Sequence, residues 1–535
     1  MEKTSPGREK VVIPFYPLIY AALPALISYN VRAANQVPMG NLFLPLVLSF
    51  GVGCAIYGLC LACLRGARST SLVAWAIVTA LFGFTYIVVA FEFCLTVLHL
   101  PISPIAAQVG LIGLWTALIA VIFLALSGKS WIFKLEKMLA KFGTIIMFLE
   151  LIVLSIHQYD CYTRLYPAVT TWQHKLITSC GANEATVRPT EQRPDIYLII
   201  TDEMASSEVL ARIFEYDNTD FVNALKKRGF AVMNQSHSNY PITRMSIASI
   251  TNLDYMDFLP PIVGRNCEDY SITNELLASS TLAQLLKGKG YSYINIGSEM
   301  PPTDFSIYAD INKPPVLDEF AMRFLQSTAM AFVPDCGAWL ESRRRETRLN
   351  AVEALANAPA MCDGPKFVFC HVLCPHEPFS FNANGNPIDE FMPARNNGQW
   401  DKKARDGYVG QVKFIENRVL SAIDRILASS AQRPIIVLQG DHGSCAMDEM
   451  ALENPRQALY HERFSILNAY LVPEPIKNQL YDTITPVNSF RIILSQLFDF
   501  KLPHLEDRCY YTTYSKPFRL KDVSEIVLNK FAKVQ

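Results

Sequence analysis

Two hydrophobic regimes divide the chain. Across the first 158 residues, apolar positions run together in five segments, roughly 11–31, 42–64, 71–98, 104–127 and 141–158. Most exceed the ~18–20 residues with which a helix crosses a bilayer. The fifth is shorter and carries Glu150. Five in succession predict an α-helical transmembrane domain of five helices rather than five buried core helices. The first also has the length of a secretory signal, but Pro14, Pro17 and Pro24 and the lack of a clear cleavage site argue against its removal. From residue 195 the pattern changes to short apolar runs alternating with amphipathic stretches. Strands are predicted at 196–200, 230–236, 291–297, 366–373, 434–440 and 469–473, and helices over 221–229, 281–290, 346–357 and 407–430. Near-continuous apolar strands between helices predict an α/β domain with a mostly parallel central sheet covered by helices.

The basic residues orient the first region. Lys3, Arg8 and Lys10 precede the first segment, Arg65 and Arg68 follow the second, and Lys129, Lys134, Lys137 and Lys141 precede the fifth. The alternate connectors hold Arg32 and no other basic residue. This predicts a multi-pass protein with a cytoplasmic N-terminus and everything after about residue 160 exported. In a bacterium that means the inner (plasma) membrane, with the second domain periplasmic or extracellular. The organisation expected is 1–158 membrane domain, 159–194 linker and 195–535 exported domain, the stretch 166–177 being a candidate to lie on the membrane surface.

Charge and cysteines add less. A net charge of −1 offers no basic surplus for a nucleic-acid partner. Thirteen cysteines include no C-x-x-C pairs suited to a cysteine zinc site, and in an oxidising compartment Cys161–Cys180 and Cys336–Cys362 are the local disulfides to expect. The sequence leaves the oligomeric state open.

Chemistry collects at the predicted strand ends, where ligands bind in sheets of this kind. Asp202 and Glu203 follow the first strand. The motif NYPITRMSIAS (239–249) follows the second, HVLCPHEPF (371–379) closes the strand at 366, and Asp441-His442-Gly443 closes the strand at 434. Acids are rarely buried unless paired or bound to a metal. Asp202, Glu203, Asp441 and His442 therefore make a candidate divalent-metal site, with zinc favoured and manganese also suited to such ligands. Thr243, after Pro241 at a predicted helix start, is the candidate nucleophile and a further metal ligand, and Ser246 one turn on is the alternative. His376 is the second catalytic candidate. Asn239, Arg244, Ser246, His371, His376 and His461 are candidate substrate contacts.

These residues resemble the alkaline phosphatase superfamily, in its sulfatase-like branch, over roughly 195–515. Membrane spans followed by such a domain look like the phosphoethanolamine and phosphoglycerol transferases, lipoteichoic acid synthase among them. The resemblance implies that Glu203 is the acidic metal ligand, joined by Asp202, that Asp441 and His442 are the metal-binding pair, and that Thr243 is the nucleophile. It also implies that His376, helped by His371 and His461, contacts the transferred group. The implied activity is transfer of a phospho-substituent from a membrane phospholipid to an envelope glycan or lipid through a phospho-threonine. T-R-M-S-I stands where true sulfatases carry C-x-P-S-R or S-x-P-S-R, which argues against sulfate-ester hydrolysis. The cysteine pattern of the phosphoethanolamine transferases is not evident. The alternatives are a membrane-bound phosphodiesterase or sulfatase-like hydrolase and a non-catalytic envelope lipid sensor.

Overall fold

The structure, a computed structural model, describes residues 14–33, 36–64, 67–83, 130–181, 193–332, 335–393, 395–396, 399–447 and 450–528. It divides into two compact units. The first holds residues 1–34, 38–159 and 320–340, and the second holds 35–37, 160–319 and 341–535.

The first unit is helical: Tyr16–Ser28, Phe43–Cys63, Ala67–Phe82 and Ser130–Asp160. Among the described residues two helices, Met39–Cys63 and Phe133–Ser179, are long and apolar enough to cross a membrane, where five were expected. The helix of the first expected segment has 13 residues, with Pro24 inside it, and passes into a π-helical turn at Tyr29–Ala33. The third segment is described only as far as residue 83, and the fourth (104–127) lies outside the described residues. The two long helices turn apolar side chains outward. Phe43, Phe50 and Leu59 on one, and Phe142, Ile145, Phe148 and Ile156 on the other, are exposed. Water would not tolerate so continuous an apolar surface, and lipid would.

Among the described residues the second unit has thirteen strands: β1 (Ile196–Thr201), β2 (Ala231–Val232), β3 (Ser292–Ile296), β4 (Ile311–Lys313), β5 (Lys366–Val372), β6 (Phe379–Phe381), β7 (Pro387–Phe391), β8 (Arg395–Asn396), β9 (Gln399–Trp400), β10 (Ile435–Gly440), β11 (Asn468–Leu471), β12 (Tyr510–Thr513) and β13 (Lys516–Asp522). Seven form one sheet in the order β2-β11-β10-β1-β5-β3-β4. β1 runs parallel to both β10 and β5, while β11 is antiparallel to its neighbours. Side-chain alternation feeds two cores. Ile196, Leu198 and Ile200 pack into one with Phe367, Phe369, Ile435 and Val437. Tyr197 and Ile199 pack into the other with Val368, Cys370, Ile436 and Leu438. Each such buried side chain stabilises the sheet by about 1.5–3 kcal/mol. β1 is the central strand, so its carboxyl end is fixed from both sides.

Two stretches read from the sequence are now placed. The stretch 166–177 is part of a helix, Tyr166–Ser179, that packs one face within the second unit. Trp172 stacks on Phe258 with 4.2 Å between ring centroids, and buried Gln173 donates to Asn252 Oδ1 and Ser279 O, both at 2.8 Å. The expected disulfides are absent: none of the twelve cysteines among the described residues is disulfide-bonded. Cys161 and Cys180 stand at opposite ends of that helical stretch, nineteen residues or ~28 Å apart at 1.5 Å per residue. A disulfide needs Cα atoms within about 7 Å. Cys336 and Cys362 likewise flank the helix Cys336–Asn357.

Candidate active site

Parallel pairing sets the site. Thr201 lies opposite Gly440 of β10 on one side and Val372 of β5 on the other. Asp202 and Asp441 therefore leave adjacent strand ends side by side, and His371, opposite Ile200, comes up beside them. Glu203 follows with φ at 65°, a left-handed conformation that costs a non-glycine residue roughly 1 kcal/mol. Its peptide is held there: Tyr408 Oη donates to Glu203 O at 2.6 Å and accepts from Ala205 N at 3.3 Å. The turn sends the two neighbouring acids to different partners.

Asp202 faces Asp441 and His442, and one donor atom from each lies within 4.8 Å of the others. His442 Nε2 is 3.1 Å from Asp441 Oδ2 and 3.9 Å from Asp202 Oδ1. His442 Nδ1 donates to Gly443 O at 3.1 Å, leaving Nε2 as an acceptor 3.0 Å from Thr243 Oγ1 and 3.1 Å from Arg463 Nη2. Burial, and then the Arg463 charge, hold His442 well below its ordinary range, so the imidazole is neutral. Burial and the Asp202 charge push Asp441 up to about 7. Burial also raises Asp202, but the nearby His376 and His371 outweigh it and hold that carboxyl below its usual range. All three residues are fully buried, and neither oxygen of Asp202 nor Oδ2 of Asp441 has a hydrogen-bond donor among the described residues. Acceptors converging without protons between them fit a divalent cation.

Thr243 is the first residue of the helix Thr243–Asn252, where main-chain N–H groups and the helix dipole favour an anion. It is 8% exposed, while His371 and His442 are fully enclosed. Ser246 donates to Asp441 O at 2.6 Å, so its proton fixes the main chain beneath the acid. Gly443 is needed for close approach, because a Cβ there would run into the carbonyl oxygens of Glu462 and Ser465.

Glu203 belongs to a second group. Its carboxylate lies with His376 and Glu377, donor atoms within 4.8 Å of one another, and Oε1 is paired with Arg463. Burial and the Glu377 charge raise Glu203 to about 8, against the pull of His376 and Arg463. Burial lowers His376, but Glu377, Glu203 and Asp202 together carry it up to about 10. His376 keeps 27% of its side-chain surface exposed, so the site opens at this residue. Its loop lies between the cis peptides Cys374–Pro375 and Glu377–Pro378. Gln411 Nε2 donates to Pro375 O (2.9 Å) and His376 O (3.0 Å), and Arg348 Nη1 donates to Pro378 O at 3.1 Å. Arg348 is buried against Glu299, 2.9 Å away.

The remaining predicted residues are placed as follows. His371 Nδ1 is 2.8 Å from Thr303 Oγ1 and its Nε2 is 3.2 Å from Asp202 Oδ2. Asn239 accepts from Val487 N at 2.9 Å and donates to Arg508 O at 2.8 Å, tying loops together behind the helix. Arg244 lies over the Tyr270 ring at 4.7 Å and donates to Gln36 O. His461 is half-buried, and the charges that act on it are those of Arg212 and Glu208, outside both groups. Sequence reasoning missed Arg463. It is fully buried and donates to Pro241 O (2.7 Å), Gly443 O (2.9 Å) and Tyr514 Oη (3.0 Å), with Nη2 3.1 Å from His442 Nε2. Glu377 was also missed. The available signal was the acid pair itself, which requires an internal cation.

No family model and no curated protein matches the chain. Among solved structures it is similar to the lipooligosaccharide phosphoethanolamine transferase A (EptA) of Neisseria meningitidis, an integral membrane protein, with 12% identity, TM-score 0.38, and 93% of this chain and 96% of that one covered. It is similar to the C-terminal periplasmic domain of EptC from Escherichia coli, with 14% identity, TM-score 0.43, and 63% and 95% covered. It is also similar to a putative sulfatase from Bacteroides thetaiotaomicron, with 15% identity, TM-score 0.37, and 61% and 75% covered. Phosphoethanolamine transferases and sulfatases are thus the solved structures this chain is similar to, at a distance that assigns no reaction.

Proposed function

We propose that the chain is a membrane-anchored, metal-dependent transferase. It moves a phospho-substituent, phosphoethanolamine or phosphoglycerol, from a phospholipid donor to an envelope glycan or lipid. The observation that carries this reading is the set of buried acceptors without donors on Asp202 and Asp441, meeting the lone pair of His442 and the Thr243 hydroxyl at a helix N-terminus. Asp202, Asp441, His442 and Thr243 would hold the ion, zinc before manganese. A bound divalent ion supplies positive charge that lowers the pKa of the Thr243 hydroxyl and balances charge on a phosphoryl group. Glu203 serves instead as counter-ion to Arg463.

Thr243 Oγ1 forms the new bond to phosphorus, and the bond from phosphorus to the diacylglycerol oxygen breaks. Thr243 loses its proton to solvent. His376, cationic and reachable from outside, donates a proton to the departing oxygen. An acceptor hydroxyl then displaces Thr243 from phosphorus, and the order of proton transfers reverses. His371 orients Asp202. The outward apolar surface of the two long helices supports a bilayer location, where a lipid donor is abundant, and the basic residues between segments support a cytoplasmic N-terminus with an exported catalytic unit.

The test is mass spectrometry of protein purified from its own membranes, wild type beside Thr243→Ala, with bound metal measured on the same samples. The expected result is a phospho-adduct on Thr243, absent from the variant, whose mass names the group. Full activity of Thr243→Ala on a lipid donor would sink the reading. Product that carries the group on a second hydroxyl compound separates transfer from hydrolysis.

A further inference from the structure

The hairpin of β12 and β13 brings a tyrosine to the site that the chemistry above does not use. Tyr514 lies in the turn, where Thr513 pairs with Lys516. The turn is tied at its base: Thr512 Oγ1 donates to Lys516 O at 2.6 Å, and Lys516 N donates to Thr513 Oγ1 at 3.2 Å. Buried Tyr511 anchors the strand before it, donating to Leu452 O at 2.8 Å. The tip is also tied towards the nucleophile. Tyr270 Oη donates to Tyr514 O at 2.9 Å, and the ring of Tyr270 carries the guanidinium of Arg244, the neighbour of Thr243.

The side chain of Tyr514 runs from solvent into the site. The residue is 49% exposed, yet its hydroxyl accepts from Nη2 of Arg463, which is fully buried. That nitrogen is 3.1 Å from His442 Nε2, and the same Nε2 is 3.0 Å from Thr243 Oγ1. Glu203 and Glu377 are among the charges that act on the hydroxyl. Neither takes its proton in a hydrogen bond: among the described residues the Tyr514 O–H has no acceptor. A phenol keeps its proton at neutral pH. A guanidinium bonded to the oxygen polarises the O–H and makes it a better donor. The chain thus holds a fixed, activated donor at the entry to the site and leaves its proton unspent.

We propose that Tyr514 is a catalytic residue whose hydroxyl donates to a phosphoryl oxygen of the group that Thr243 receives. This rests on the phospho-transfer reading given above. No bond to Tyr514 forms or breaks, and the proton stays on the phenol. The contribution is a donor already in place where negative charge gathers on the phosphoryl oxygens.

The test compares the full zinc-loaded chain in detergent with Tyr514→Phe, which keeps the ring and removes the hydroxyl alone. Transfer is measured from phosphatidylethanolamine and from phosphatidylglycerol in mixed micelles, and inorganic phosphate is titrated into both proteins by calorimetry. The expected result is a kcat lower on the order of 100-fold, the loss that follows removal of one such donor, with KM little changed. Phosphate binds about tenfold more weakly to the variant, while zinc content and Tm stay as in the wild type. Equal kcat and equal phosphate affinity overturn the inference. A variant that loses zinc or melts earlier also overturns it, because the hydroxyl then serves only to hold Arg463. If the wild type transfers nothing from either lipid, the transfer reading fails by itself. The phosphate titration still decides the contact: weaker binding by Tyr514→Phe supports it, and equal binding overturns it.

Discussion

Replacing Arg463 with methionine tests how the two adjacent acids are divided. The guanidinium is fully enclosed and serves five acceptors: Pro241 O, Gly443 O, Tyr514 Oη, Glu203 Oε1 and His442 Nε2. Methionine fills similar volume and donates nothing. Removing one partner of a buried charge pair costs about 3–5 kcal/mol. Gly443 O keeps the bond from His442 Nδ1, whereas Pro241 O loses its donor, which places the change in the upper half of that range. Part of the loss comes from Glu203, so Arg463→Met combined with Glu203→Gln falls short of the sum of the single changes by on the order of 2 kcal/mol. The assay is urea unfolding of the full chain in detergent, with zinc content measured on the folded protein. Glu203→Gln alone keeps its metal, whereas Asp202→Asn loses it. Additivity within about 0.5 kcal/mol, or a Glu203→Gln protein as empty of zinc as Asp202→Asn, would refute the division of labour and return Glu203 to the metal.

Further outcomes are expected elsewhere. Asp441→Asn or His442→Ala weakens zinc binding at least about 100-fold in a competition assay, since changes outside the ligand shell already cost about 10–100-fold. Thr303→Val frees His371 and lowers zinc affinity within that outer range, and Thr303→Ser, which keeps the hydroxyl, restores it. Arg348→Met loosens the His376 loop through Pro378 O and lowers kcat more than it raises KM for the lipid donor. Burial raises Glu416 from its ordinary 4.5 up to about 7, although Tyr216 and Asn218 donate to it. The folded state therefore binds the extra proton. Stability is full below pH 4.5 and falls by about 3 kcal/mol as pH rises to 7. Glu416→Gln flattens the fall of Tm between pH 5 and 8, and an unchanged slope would disprove the assignment.

What could be read in the sequence depended on periodicity. Ile196–Thr201, Lys366–Val372 and Ile435–Gly440 are short, apolar and bounded by polar residues, so the strands and their ends were legible, and with them the positions of Asp202, Asp441 and His442. Lys313 ends a three-residue edge strand, too short to leave a pattern. The disulfide expectation failed because a π-helical turn at Cys161–Leu165 carries one helical stretch into the next, where a polar linker was read. Arg463 stayed hidden for another reason. The resemblance points to His461 as a pocket residue, but residues two apart on a helix point ~200° away from each other. Only one of the two could face the acids, and composition does not say which.

The Asp-His-Gly turn carries its own alignment. Asp441 Oδ1 accepts from the main-chain N–H of Glu203 at 3.0 Å, and His442 Nδ1 donates to the main-chain carbonyl of Gly443. Both aiming devices are peptide groups, which survive any side-chain exchange at their own positions. Side-chain exchange at Glu203 thus leaves the aim of Asp441 in place, while Gly443 stays fixed by its close approach to Glu462 O and Ser465 O. A variant that leaves both ligands in place yet binds metal poorly would report that one strand end has slipped against the other, which makes metal affinity a ruler for the register of β1 and β10.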